Sequence, residues 1–158
     1  MGKDTEMVAL DSSAMTKLIE ALTCISAPSV GADVEARKAL ARGFFYLPPN
    51  CCFHLTPTVQ IEYLRINSED RLRDHLSWAN SHFCFVNPTP DPKWVEKRAA
   101  ELNQLHSNAK DLDDCKVLAE CEASMIKCLI SDDKKFIKKL RYHSPSVSLC
   151  PPRNIGNR

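Results

Sequence analysis

Four acids in this chain sit where carboxylates can act together. Asp11 closes the short apolar run that begins at Met7, and Glu62 lies within Thr58-Val-Gln-Ile-Glu62-Tyr63. Asp114 opens the stretch running to Met125, and Asp133 follows the apolar run that ends at Ile130. In a parallel α/β sheet the carboxyl ends of the strands form the crevice where ligands bind, so an acid just after a strand is placed for a site. Crowded carboxylates repel one another unless a cation offsets the charge, and oxygen ligands suit hard divalent ions such as Mg²⁺ or Mn²⁺. No His or Cys stands at ligand spacing among these acids, which makes zinc the poorer choice there. Each acid also has a plainer use: Asp114 and Asp133 as helix caps, Glu62 as a solvated helix residue, Asp11 as a turn residue. Asp111 and Asp113 compete with Asp114 for its position, and Asp132 competes with Asp133. The weight rests on the set.

The elements that must deliver these acids follow from hydrophobic periodicity. Residues 7–11 read as a buried strand. A helix over 14–25 follows, with Met15, Leu18, Ile19 and Leu22 on one face. A loop at 26–31 leads to a helix over 33–45, capped by Asp33 and ended by Pro48-Pro49. Cys51 to Leu55 is a strand, and Thr56-Pro57 opens a helix to about Ile66, with Thr56 as N-cap and Pro57 at the first helical position. Ser68 caps a helix to Asn80, His82 to Val86 is a strand, and Pro88 to Pro92 is a turn. Helices are expected over 94–105 and 111–125; in the second, Asp114 shares a face with Leu118, Cys121 and Met125. A strand over 127–130, a helix over 133–140 and an edge strand over 146–149 complete the chain before a polar tail. Strands alternating with helices imply a single α/β domain of three layers, α/β/α, with a mainly parallel central sheet.

The chain has 158 residues, 44% of them apolar and 26% charged, ordinary values for one globular domain with its own core. No run approaches the length of a membrane span, and the polar start is not a signal segment, so no membrane partner and a cytoplasmic location are the expectation. Of the eight Cys, none forms a CxxC pair, and reduced, structural thiols are expected. The net charge of +1 is uninformative, but its distribution is not. Seven acids crowd between Asp111 and Asp133 against Lys116 and Lys127, whereas seven bases and no acid follow from Lys134 to the end. An acidic cluster beside a basic skirt suits a metal-dependent enzyme acting on a polyanion. Complementing helix dipoles explains part of that pattern.

With those residues in view, the chain resembles PIN-domain ribonucleases, a family that includes VapC-type toxins. The resemblance rests on Leu10-Asp11-Ser12-Ser13-Ala14, then Leu55 through Glu62-Tyr63, then Asp114 through Glu122, then Leu129-Ile130-Ser131-Asp132-Asp133 through Phe136. It implies Asp11, Glu62, Asp114 and Asp133 as catalytic metal ligands, with Ser13 and Ser131 holding the substrate phosphate or orienting a carboxylate. The implied activity is Mg²⁺- or Mn²⁺-dependent hydrolysis of RNA phosphodiester bonds by an endoribonuclease, as in the toxin of a toxin–antitoxin pair. An antitoxin protein and a homodimer partner are implied with it. Lys134, Lys135, Lys138, Lys139 and Arg141 would then hold RNA backbone phosphates. The alternative is a non-catalytic PIN-like domain that binds RNA or protein.

Other chemistries fit less well. A phosphoaspartate receiver carries its acid pair after the first strand, and here the pair follows a late one. A haloacid-dehalogenase-type phosphatase needs an Asp where Ser13 stands. His54, His75, His82, His106 and His143 are scattered with no nucleophile at a recognisable motif, and Trp78 and Trp94 occupy apolar helix positions that suit packing.

Overall fold

The computed structural model describes residues 7–23, 32–49, 51–106 and 112–152. The expected loop at 26–31, the side chain of Asp33, Asp111 and the tail beyond Pro152 lie outside these residues. Five strands form one all-parallel sheet: β1 (Val8–Leu10), β2 (Phe53–Leu55), β3 (Cys84–Phe85), β4 (Cys128–Ile130) and β5 (Ser148–Cys150). Their order is β3-β2-β1-β4-β5. Seven helices connect them among the described residues: α1 (Ser12–Thr23), α2 (Ala32–Phe45), α3 (Pro57–Leu64), α4 (Glu69–His82), α5 (Pro92–His106), α6 (Leu112–Ala123) and α7 (Lys134–Leu140).

This order fixes where a site belongs. From β1 the chain steps outward to β2 and β3, then returns across the sheet to β4 and β5. The direction of winding therefore reverses between β1 and β4, whose register pairs Val8 with Cys128 and Leu10 with Ile130. Right-handed crossovers put the helices of the two halves on opposite faces, giving the three layers expected. Packing follows suit: α1 lies against α2, α3 and α4, while α5 lies against α6 and α7. Buried Leu10, Leu18, Phe53, Leu55, Leu118, Leu129 and Phe136 fill the space between sheet and helices. Short strands suffice because both faces are covered, as the fully buried β4 illustrates.

Several element ends differ from the sequence expectation. Helix α4 continues to His82, where a strand was expected to begin, and the tilted His82 ring packs on Trp78 one turn earlier at 4.4 Å between centroids. That leaves β3 two residues long at the sheet edge. Helix α5 starts at Pro92, which supplies a first-turn residue and not the end of a turn. Helix α6 ends at Ala123 in a Schellman turn: Ile126 N–H donates to the Cys121 carbonyl (3.0 Å) and Met125 N–H to the Glu122 carbonyl (3.3 Å). Met125 takes the left-handed position with φ of 56°, so it leaves the face shared with Asp114 and is exposed. Trp94 is also 43% exposed, against the packing role expected of it. Cys52 and Cys84 are joined as a disulfide, contrary to the expectation of reduced thiols throughout; Cys115, Cys121 and Cys128 form no disulfide and are buried as expected.

Candidate metal centre

The reversal between β1 and β4 opens onto two strand-to-helix junctions. At the first, Asp11 continues β1, with its N–H donating to the Ile130 carbonyl of β4 (3.0 Å). Its Oδ1 accepts from the Ala14 N–H (2.8 Å) and the Ser13 hydroxyl (3.1 Å), so Asp11 caps α1. The side chain is nearly inaccessible at 5% exposure. Burial raises its pKa, opposed by hydrogen bonds from Ser131, Ala14 and Ser13 and reinforced by the nearby charge of Asp132.

At the second junction, Asp133 caps α7: its Oδ1 accepts from the N–H groups of Lys135 (2.9 Å) and Phe136 (3.0 Å). Ser131 links the two junctions. Its fully buried hydroxyl bonds the Asp11 carboxylate and accepts from the Asp133 N–H at 3.1 Å. Asp132 forms an ion pair with Lys17 of α1.

Glu62 reaches the same region from α3, where the Ser12 hydroxyl donates to its carboxylate. Burial, and then the charges of Asp113, Asp114 and Asp11, push its pKa up from the usual 4.5 to about 7, while Arg65 pulls it down. Arg65 also lies 4.0 Å from Asp113. Both Asp113 and Asp114 occupy the first turn of α6, where a helix N-terminus favours negative charge. Asp113 and Asp114 thus both act on Glu62, as does Asp11, while Asp111, the other acid weighed for this place, lies outside the described residues. Asp132 is the acid of the second junction whose charge reaches Asp11, whereas Asp133 is committed through one oxygen to its helix.

One acid absent from the expected site set positions the others. Glu120 of α6 is 5% exposed, and its carboxylate accepts from the Thr58 N–H (3.2 Å to each oxygen) and the Thr58 hydroxyl (2.8 Å). Burial raises its pKa, opposed by the Thr56 and Thr58 groups around it. Thr56 holds the N-cap position of α3, but its side chain makes no capping bond. The cap is supplied instead by Glu120 from another helix, which fixes the element carrying Glu62 against the element carrying Asp113 and Asp114. Ser12, Lys17 and Arg65 were likewise missed as site residues, since each contributes through a partner distant in sequence or through a charge that spacing does not reveal.

These acids offer oxygen ligands only, the kind a hard divalent cation takes, and burial together with the charges of Asp113, Asp114 and Asp11 raises the pKa of Glu62. Among the described residues, no three of these acids bring carboxylate oxygens within 4.8 Å of one another, so they form no single-ion cage.

The bases of α7 lie on the solvated face of an amphipathic helix. Phe136, Ile137 and Leu140 are buried while Lys134, Lys135, Lys138, Lys139 and Arg141 are exposed. The Arg141 guanidinium lies 5.0 Å over the ring of Tyr142, itself 80% exposed. His75 is structural: buried, it bonds Thr16 (2.9 Å) and the Arg71 carbonyl (2.7 Å), and burial lowers its pKa.

Fold and side chains together define a doubly wound parallel α/β domain with acids gathered near its switch point. Comparison with family models, curated proteins and solved structures found no match to this chain. Among the described residues, no helix is long and apolar enough to cross a membrane.

Proposed function

We propose that this chain is a Mg²⁺- or Mn²⁺-dependent endoribonuclease of PIN type, with Asp11, Glu62 and Asp114 as the principal ligands. The observation that carries the reading is the arrival of acids from three separate elements, the end of β1, α3 and the first turn of α6, at the one place where the sheet reverses direction. A bound divalent ion there would polarise a scissile phosphate and supply a water of lowered pKa. Asp11 and Glu62 would hold it, with Ser13 and Ser12 fixing their carboxylates. Asp113 sits beside Asp114 and adds negative charge. Asp133 would join through the oxygen not used to cap α7. Ser131 orients Asp11 and stands at the junction where a phosphate would lie. The exposed lysines of α7, with Arg141 against Tyr142, offer charge for phosphates and one ring for stacking a base. A silencing protein partner and self-association belong to the same reading.

The test is cleavage of single-stranded RNA by purified protein with Mg²⁺ or Mn²⁺, compared with Asp11→Asn. Metal-dependent cleavage lost in the variant supports the reading, and cleavage that survives it removes Asp11 from the site. The open spacing of the acids favours one second reading, a non-catalytic PIN-like domain that binds RNA or protein. Salt-sensitive RNA binding with no cleavage under any divalent ion would select it.

A further inference from the structure

A second cluster lies at the β2–β3 edge of the sheet, apart from the acids of the β1–β4 reversal. Cys52 and His54 flank Phe53, which is buried in the core; residues two apart on a strand face the same way, so Cys52 and His54 share the opposite side of β2. The register pairs His54 with Cys84 of the edge strand β3. Two sulfurs and an imidazole from two strands thus meet, with one ligand atom from each lying within 4.8 Å of the others. All three residues are half-buried, hence reachable. Moreover, His54 Nδ1 is buried with no hydrogen-bond partner, an arrangement that costs stability unless something occupies the nitrogen.

We propose that Cys52, His54 and Cys84 form a redox-controlled site for a zinc-class cation, taken up when the Cys52–Cys84 bond is reduced. Zn²⁺ binds thiolate sulfur at about 2.3 Å and imidazole nitrogen at about 2.0–2.1 Å, so ligands of one ion lie within about 4.6 Å of one another. In the disulfide, neither sulfur carries the thiolate charge a cation needs. A dithiol reductant supplies two electrons and two protons, breaking the S–S bond to give two thiols while its own sulfurs join. Binding of Zn²⁺ then displaces the two thiol protons and leaves two thiolates on the ion, with the fourth position open to water. Either bond, sulfur to sulfur or sulfur to metal, ties the two-residue edge strand β3 to β2.

The test uses Co²⁺ as a spectroscopic stand-in for Zn²⁺ on the full chain. Reduced protein should bind one equivalent with a thiolate-to-cobalt charge-transfer band, and Zn²⁺ should displace it. Protein oxidised with peroxide should show no band, and this comparison needs no substitution. Cys52→Ser should abolish the band, His54→Ala should weaken binding at least tenfold, and Cys51→Ser should leave it intact. The proposal is overturned if reduced protein gives no band, if oxidised protein binds equally, if the band survives Cys52→Ser, if His54→Ala binds as tightly as wild type, or if Cys51→Ser abolishes it.

Discussion

Asp11 and Asp133 stand at the two junctions that flank the sheet's reversal, and each caps the helix that follows its strand. The local grammar is the same: apolar strand, acid, helix. Their surroundings differ. Asp11 is almost fully buried, bonded by Ser13 and Ser131, and feels the charge of Asp132, while its own charge acts on Glu62. Asp133 is half-buried and satisfied by two helix N–H groups. An acid after a strand thus becomes a candidate ligand through the other elements that bring charge to it, and a cap through its own helix alone.

That contrast can be broken by experiment. The largest expected effect is on cleavage: Asp11→Asn should lower metal-dependent RNA hydrolysis by more than about 100-fold with the fold retained, as judged by circular dichroism and single-turnover rates. Asp133→Asn sharpens the comparison, because Asn caps a helix nearly as well as Asp. Lost activity at unchanged melting temperature would make Asp133 a ligand, and unchanged activity would leave it a cap. Replacing Lys134, Lys135, Lys138 and Lys139 with Gln should weaken RNA binding and reduce the slope of log affinity against log salt by up to about 3, with the cleavage step itself unaffected once RNA is saturating.

A smaller effect concerns pH. With its pKa raised to about 7, Glu62 keeps its proton in the folded state over a range where the unfolded chain has lost it. Stability should therefore fall as pH rises from about 4.5 through 7 in chelator-treated protein, with the penalty complete above 7. Glu62→Gln should remove that fall, gaining on the order of 1 kcal/mol at pH 8 after allowance for solvent screening of a half-exposed group. Denaturant titrations at pH 5 and 8 read it directly, and a gain equal at both values would contradict the cause assigned. Smallest and outside the comparison, Met125→Gly should stabilise the chain by about 1 kcal/mol, since Gly takes the left-handed turn after α6 without penalty.

The alternation of strands and helices was legible because apolar runs and helical periodicity are local signals, and every strand fell on or beside its expected run, β3 and β5 only in part. The place of Asp11 at the carboxyl end of a strand was legible from its own apolar run, whereas the order of the strands is set by packing between elements. Contacts between elements were not. The Glu120 carboxylate that caps α3 lies 62 residues from Thr58, the Lys17 partner of Asp132 lies 115 residues away, and the Cys52–Cys84 bond spans 32. Thr56 shows the limit of a local rule: the capping position was right, but the group that caps came from another helix. His54 stands two residues from Cys52, but the second sulfur, Cys84, comes from across the sheet.

In the proposed function, the acids at the β1–β4 reversal hold a hard divalent cation. Calorimetric titration of Mn²⁺ into wild-type protein, Asp11→Asn and Cys52→Ser tests it most directly. The account predicts saturable binding in wild type that is lost in Asp11→Asn and kept in Cys52→Ser, separating this site from the sulfur cluster. No Mn²⁺ binding by wild type, or equal binding by Asp11→Asn, would contradict it.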